Sequence, residues 1–502
     1  MIEDAKASGT YKDPYDGINF VERHPVIEGA DGSIKFDQVV VFPDYFNEQS
    51  VKVVASKYLC NNAKRKESDL RDMIDRVSDT TVDLAMKDGY FETDQDIIDF
   101  GYKLKYYQIH QYSAFNSPVY FNHGIAEKNQ LSACFILSVE DNMESIANLY
   151  RDEMMVFQKG SGSGVNFSPL RSSFEKVGNA DKSSASGPIS FLKASDISAS
   201  VIKSGGILRR AAKMACLNAD HPDIFKFINC KKKEEDKLDA IKSSGILSES
   251  GYELSDEVFF QSTNLSCRFS NRFMEAVKSD GYWSTREVLT GNVVETVKAR
   301  DLLMQVSSIA HKTGDPGVMF HDTINDWNTT PADGSIDASN PCGEYHGQPN
   351  TSCNLAALNL IKFFSFRNGQ YFFDYERYCD VVSTMITAQD VFVDNAAYPT
   401  EKLTQGTKRF RALGFGLSNL GGLLLYLGIP YDSEKGRIIT SLLTSILTGI
   451  GHITSAKIAK KLGPGEWWNN EINQDAIYRI LNKHKNTQMN YLWISLMMNL
   501  LL

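Results

Sequence analysis

The sequence lacks a signal-peptide pattern at its start, where Met1-Ile2-Glu3-Asp4-Ala5-Lys6 has neither the basic nor the apolar region that one requires, so none is expected. It also lacks an uninterrupted apolar run of the roughly 20 residues that a membrane-spanning helix needs. Both absences point to a cytoplasmic protein with no membrane partner. Basic residues are not in excess: the net charge of -9 removes the positive surface field on which general nucleic-acid binding depends. No Cys-x-x-Cys pair and no His/Cys cluster at zinc spacing occurs, so no metal site is expected. In a reducing cytoplasm the eight cysteines are expected as thiols, and a disulfide among them would be catalytic or redox-active rather than structural.

The composition that remains is ordinary for a globular protein, 42% hydrophobic and 23% charged over 502 residues. That length suits about two to four domains, or one large barrel with additions. Residues 1–45 are rich in turn signals such as Asp13-Pro14-Tyr15-Asp16-Gly17 and read as an extended lead-in. Residues 46–125 show helical periodicity, with Val51, Val54, Ala55 and Tyr58 as one example, and predict a helical N-terminal domain. From 126 to 502 short apolar runs alternate with helical stretches, the pattern of an α/β layer or barrel. Strands are expected at 133–139, 211–217, 258–261, 316–320, 353–358 and 412–415. Helices are expected at 143–157, 222–230, 271–279, 299–312, 375–397 and 433–462, with a hairpin over 283–297. The charged run Lys231 to Lys237 reads as a solvated helix end.

Chemistry concentrates in Asn340-Pro341-Cys342-Gly343-Glu344, followed by Cys353. Pro341 and Gly343 disfavour a helix, and an extended segment would point Asn340, Cys342 and Glu344 to one side. An amide, a thiol and a carboxylate together suit hydrogen bonding, thiol chemistry and proton transfer; a turn with a structural cysteine satisfies the same spacing. Gly160-Ser161-Gly162-Ser163-Gly164 reads as a loop between a helix and a strand, either offering N–H groups to a phosphate or simply flexible. It fits neither a Walker loop nor a dinucleotide fingerprint. Lys203-Ser204-Gly205-Gly206-Ile207-Leu208-Arg209-Arg210 is a second glycine loop, with arginines suited to a phosphate or a base.

These segments, with Ala114-Phe115-Asn116-Ser117-Pro118, Ser132-Ala133-Cys134-Phe135-Ile136-Leu137, Arg209-Arg210-Ala211-Ala212-Lys213-Met214, Asp220-His221-Pro222-Asp223-Ile224 and Leu413-Gly414-Phe415-Gly416-Leu417, occur in one order that resembles the catalytic subunit of ribonucleotide reductases. The resemblance runs from about residue 40 to about 465 and is strongest to the adenosylcobalamin-dependent class II enzymes. It implies a ten-stranded α/β barrel with a helical N-terminal domain, in which a thiyl radical at Cys342 abstracts the ribose 3′ hydrogen. Glu344 would take the 3′-hydroxyl proton and Asn340 would hydrogen-bond the ribose. Cys134 and Cys353 would supply the reducing equivalents and be re-reduced by an external dithiol such as thioredoxin.

Position by position, the resemblance assigns Ser117, Ser161 and Gly162 to the substrate phosphates. It assigns Asp141, Arg171, Ser204, Gly205 and Arg209 to a deoxynucleotide or ATP effector. Without it, Asp141 reads as a helix cap. His221 reads as structural, as do Cys60, Cys216, Cys230, Cys267 and Cys379. Adenosylcobalamin is the implied cofactor, a partner metallosubunit the alternative radical source, and a homodimer the implied assembly. The family's later segments are not found before residue 502, so the barrel is expected to be completed by a second chain, or the chain to be a non-catalytic fragment.

Overall fold

The computed structural model describes residues 13–29, 32–62, 65–125, 129–178, 184–202, 211–244 and 258–501, with backbone alone at 367 and from 487 onward. Packing divides the chain into two units. One comprises 134–352 with 399–407; the other comprises the residues up to 133, 353–398 and those from 408. These boundaries differ from a division at residues 45 and 125, because the chain leaves each unit and returns to it.

The unit holding 134–352 is built on five parallel strands: β1 (Cys134–Leu137), β2 (Gly162–Asn166), β3 (Lys213–Asn218), β4 (Thr263–Phe269) and β5 (Gly317–Phe320). Their order in the sheet is β1-β2-β3-β4-β5, so each strand pairs with its predecessor. Helices connect them, among them Met143–Gln158, Pro188–Val201, Ile224–Ser243 and Ala299–Thr313. Covering both faces buries nearly every residue of β1 to β4, the rule for parallel sheets. Even Lys213 is buried, which is tolerable because its ammonium meets Glu153 at 2.9 Å and Ser163 donates to the same carboxylate at 3.1 Å. Next in sequence, β6 (Ala338–Ser339) and β7 (His346–Gly347) form a short hairpin.

The other unit contains β8 (Thr351–Asn359) from Cys353 onward and β9 (Leu413–Ser418), paired in parallel, with Ser113–Phe115 antiparallel on the other side of β8. Around them pack Leu70–Lys87, Asp94–Ile109, Tyr375–Asn395 and Glu434–Leu462. Leu70–Lys87 shows why the periodicity was legible: Asp69 and Asp72 form a reciprocal capping box, and Met73, Ile74 and Val77 fall on the buried face. The core joins Phe392, Tyr378, Leu358, Leu104 and Leu423, each such side chain contributing about 1.5–3 kcal/mol on burial. By length and composition alone Glu434–Leu462 is long and apolar enough to cross a membrane, its most apolar 18 residues having a mean hydropathy of 1.4. One face of it is buried, through Ile439 and Leu443, whose carbonyl accepts from Tyr378 at 2.9 Å.

Three local expectations change. The strand expected at 258–261 begins at Thr263, and Phe260, with φ of 63°, lies in irregular chain before it. The charged run 231–237 is helix interior, because Ile224–Ser243 continues for 20 residues with Glu234 and Leu238 turned inward. The lead-in contains short antiparallel strands, Phe20–Arg23 with Val40–Pro43 and Val26–Glu28 with Ile34–Asp37.

Candidate active site

The pentapeptide is a turn, not an extended segment. Gly343 N–H donates to Asn340 O at 3.1 Å, closing a four-residue turn, and Gly343 adopts φ of +82°, where glycine meets no steric penalty. Asn340 N–H donates to Tyr345 O at 3.0 Å, and Tyr345 N–H returns to Asn340 Oδ1 at 3.0 Å. With both backbone and side chain thus engaged, Asn340 is fully buried while Cys342 is exposed at the tip.

The hairpin is seated on β2 because that strand lacks side chains where it passes. A Cβ on Gly164 would lie 1.7 Å from Ser339 O, and one on Gly162 would lie 2.6 Å from Pro341 Cγ. The glycine run read as a phosphate loop is therefore largely strand. Gly160, at φ of +80°, follows the helix Met143–Gln158, whereas Gly162 and Gly164 give close approach to the hairpin. From β4, Asn264 Nδ2 donates to Pro341 O at 2.8 Å. Sequence reasoning missed Asn264, since misplacing that strand put it outside the expected element. Its signal was a lone amide inside the apolar-alternating Thr263-Asn264-Leu265 run.

Two predicted residues converge on a third. Asn340 Nδ2 donates to Cys134 Sγ at 3.0 Å, and the Cys134 thiol points at Glu344 Oε1 at 3.7 Å, the long distance sulfur permits. An amide and a carboxylate thus flank a buried thiol at the start of β1, beneath an exposed one. Cys353 is buried in β8. The segment leading to it is fixed by Tyr345 Oη and Thr351 Oγ1, 2.9 Å apart, and by Ser352 N–H donating to Thr407 Oγ1 at 3.0 Å.

Asp141 caps no helix, since Asn142 takes that role by accepting from Ser145 N–H at 2.8 Å. Asp141 instead holds Arg171, accepting from its Nε at 2.7 Å and its N–H at 3.1 Å. Ser204, Gly205 and Arg209 lie outside the described residues. Ser117 opens the short helix Ser117–Asn122, and its Oγ lies 3.0 Å from Tyr58 Oη. Ser161 is buried just before β2. His221 is structural: Nδ1 accepts from Asp223 N–H at 3.0 Å and Nε2 donates to Leu170 O at 2.9 Å, while burial lowers its pKa. Burial also pushes the thiols of Cys216 and Cys230 up to about 12 and raises that of Cys267, as befits inert cysteines. Among the described residues no group of three or more His, Cys, Asp or Glu could hold a metal ion.

The family model described as "Ribonucleotide reductase, barrel domain" matches residues 132–500. The vitamin B12-dependent ribonucleotide reductase of Streptomyces avermitilis is 41% identical over 476 residues, covering 94% of this chain and 49% of the relative. That of Streptomyces clavuligerus is 42% identical over 456 residues, covering 90% and 47%. That of Rhodopirellula baltica is 38% identical over 497 residues, covering 92% and 47%. The chain spans about half the length of these relatives.

Proposed function

The chain belongs to the ribonucleotide reductase family, and from that premise we propose that it carries the reactive thiols of a ribonucleotide reductase. The observation that supports this best is the meeting of Asn340 and Glu344 at Cys134 beneath the exposed Cys342 turn. Cys342, as a thiyl radical, takes the 3′ hydrogen of the ribonucleotide, and Glu344 accepts the 3′-hydroxyl proton. The 2′-hydroxyl leaves as water. Cys134 and Cys353 provide two electrons and two protons, ending as a disulfide; their Cα atoms must come within about 7 Å for that bond. The balance is ribonucleotide plus dithiol to deoxyribonucleotide, disulfide and water, and an external dithiol of the thioredoxin type restores the pair.

Adenosylcobalamin, the cofactor suggested by the relatives' names, supplies the initial radical when bound. Cys342 fits that role in being exposed, as access by a bulky group demands. No residue is assigned to hold the corrin: the cavity at Asn218, Arg268, Trp283 and His321, about 200 Å³, is too small even for a drug-sized ligand.

Ser117, Ser161 and Gly162 bind the substrate phosphates in this reading. Asp141 and Arg171, with Ser204, Gly205 and Arg209, bind a deoxynucleotide or ATP effector, and the assembly is a homodimer in the cytoplasm. In this reading further strands complete the barrel beyond β9. In support, β9 pairs only with β8 among the described residues, and Leu425, in the helix that follows, is 81% exposed.

Incubating the chain, with and without a polypeptide supplying the rest of the relatives' length, with ribonucleotides, adenosylcobalamin and a dithiol tests the proposal. Deoxynucleotide is expected in the completed mixture. None there would overturn the catalytic reading, and turnover that needs a metallosubunit instead would overturn the cobalamin assignment.

A further inference from the structure

Asn264 and Arg268 are four residues apart on β4 and so share one face of the strand. Both reach toward the hairpin, Asn264 at the Pro341 carbonyl as described and Arg268 at its base. Arg268 is only 5% exposed. Its Nη1 donates to Asn218 Oδ1 at 2.8 Å, and its Nη2 donates to Ile336 O at 3.2 Å, two residues before β6. Nη2 also meets His321 Nδ1. Asn325 holds the same residue in both directions: Nδ2 donates to Ile336 O and Oδ1 accepts from Ile336 N–H, each at 2.9 Å. The Ile336 backbone is thus gripped from β4 and from the helix His321–Asp326 together.

A guanidinium can only donate, so His321 Nδ1 must present a lone pair, and the ring must be neutral with its proton on Nε2. The charged groups facing that ring are Arg268 from β4, Asp220 from beyond β3, Asp337 from the approach to the hairpin and Asp322 from its own helix. The carboxylates favour protonation, but burial first and Arg268 second hold the pKa below its usual 6.5. Because the folded value is lowered, the contribution of the neutral ring is complete above pH 6.5 and is lost as pH falls below it.

We propose that Arg268 and Asn325, helped by Asn264, are positioning residues that clamp the Cys342 hairpin over Cys134, and that the clamp closes only on neutral His321. The catalytic meaning of the clamp rests on Cys134 and Cys342 being the working thiols, but the clamp can be read without turnover. Cys134 is buried under Asn340 and Glu344, so a loosened hairpin uncovers it.

The test is thiol labelling of the full chain with 4,4′-dithiodipyridine, resolved by cysteine with mass spectrometry. Partly exposed Cys379 serves as the reference, and buried Cys216, Cys230 and Cys267 report unfolding. Arg268→Gln and Asn325→Ala are each expected to speed Cys134 labelling, relative to Cys379, by about ten- to a hundred-fold, as loss of a hydrogen bond to a buried group implies. The three buried cysteines should stay protected. Unchanged Cys134 labelling, or a rise shared by those three, would overturn the proposal. Should Arg268→Gln fail to fold, Asn264→Ala must give the same Cys134 signature without touching a charge. In the wild-type chain the Cys134 to Cys379 ratio should climb below pH 6.5 and stay flat in His321→Gln; a flat wild-type profile would remove His321 from the clamp. Failure of these labelling results would leave the assignment of the thiols standing, whereas turnover by a Cys342→Ser enzyme would remove that assignment and leave the clamp.

Discussion

Asn340 donates its side-chain amide to the sulfur of Cys134 at 3.0 Å, across 206 residues of sequence. The contact makes a turn residue and a strand residue parts of one site. It also orients the thiol, whose own hydrogen is left to face Glu344. An arrangement that depends on backbone contact between hairpin and strand is sensitive to a single added methyl group.

Gly164→Ala is therefore expected to be more damaging than Gly162→Ala. The Gly164 substitution would overlap the Ser339 carbonyl oxygen at 1.7 Å, which only a shift of the hairpin backbone can relieve, whereas the Gly162 substitution meets the Pro341 ring at 2.6 Å and the Ala212 carbonyl at 3.0 Å, a smaller overlap. Overpacking of this kind costs about 1–3 kcal/mol or more. Denaturant titration of both variants checks the order; equal midpoints would contradict it.

Cys342→Ser should reduce turnover of the completed enzyme by more than about a thousand-fold, since a hydroxyl does not replace a radical thiol. Because Cys342 is exposed, stability and nucleotide binding should be nearly unchanged. Deoxynucleotide formation and equilibrium binding, measured on the same sample, separate the two effects.

His123 provides a pH test of stability. It is buried beside Arg76, its Nε2 lies 3.1 Å from Thr81 Oγ1, and burial, with Arg76 second, pushes its pKa down to about 3. The folded value is below the unfolded 6.5, so stability is full above pH 6.5 and is lost as pH falls toward 3. His123→Gln should flatten that part of the stability profile in urea titrations between pH 7 and 4. A profile as steep as wild type would show that other groups govern it.

Asp141→Asn should leave global stability within about 1 kcal/mol, because its ion pair with Arg171 is partly exposed. Deoxynucleotide binding should weaken about ten-fold or more if the pair forms the effector site. Calorimetric titration with deoxynucleotides checks the second half, and unaltered affinity would move the effector site elsewhere.

Much of the fold was legible because its signals are local. Helices such as Ala299–Thr313 and Tyr375–Asn395 announced themselves by apolar spacing, and the hairpin at 282–298 by Thr290-Gly291-Asn292. The strand at 263–269 was misplaced because a short apolar run before it, Val258-Phe259-Phe260, mimics a strand but pairs with none among the described residues.

The sequence by itself nominated Asn340, Cys342, Glu344, Cys134 and Cys353, since they stand in motifs whose order marks the family. Only the tertiary structure decided how Asn340 and Glu344 meet Cys134. The turn at Asn340 closes because its amide, and not an extended backbone, satisfies Tyr345 and Cys134. The hairpin can descend to that depth because the strand beneath it offers glycine at 162 and 164. Periodicity records which face of an element is buried, but hydrogen bonds between elements hundreds of residues apart leave no period to read.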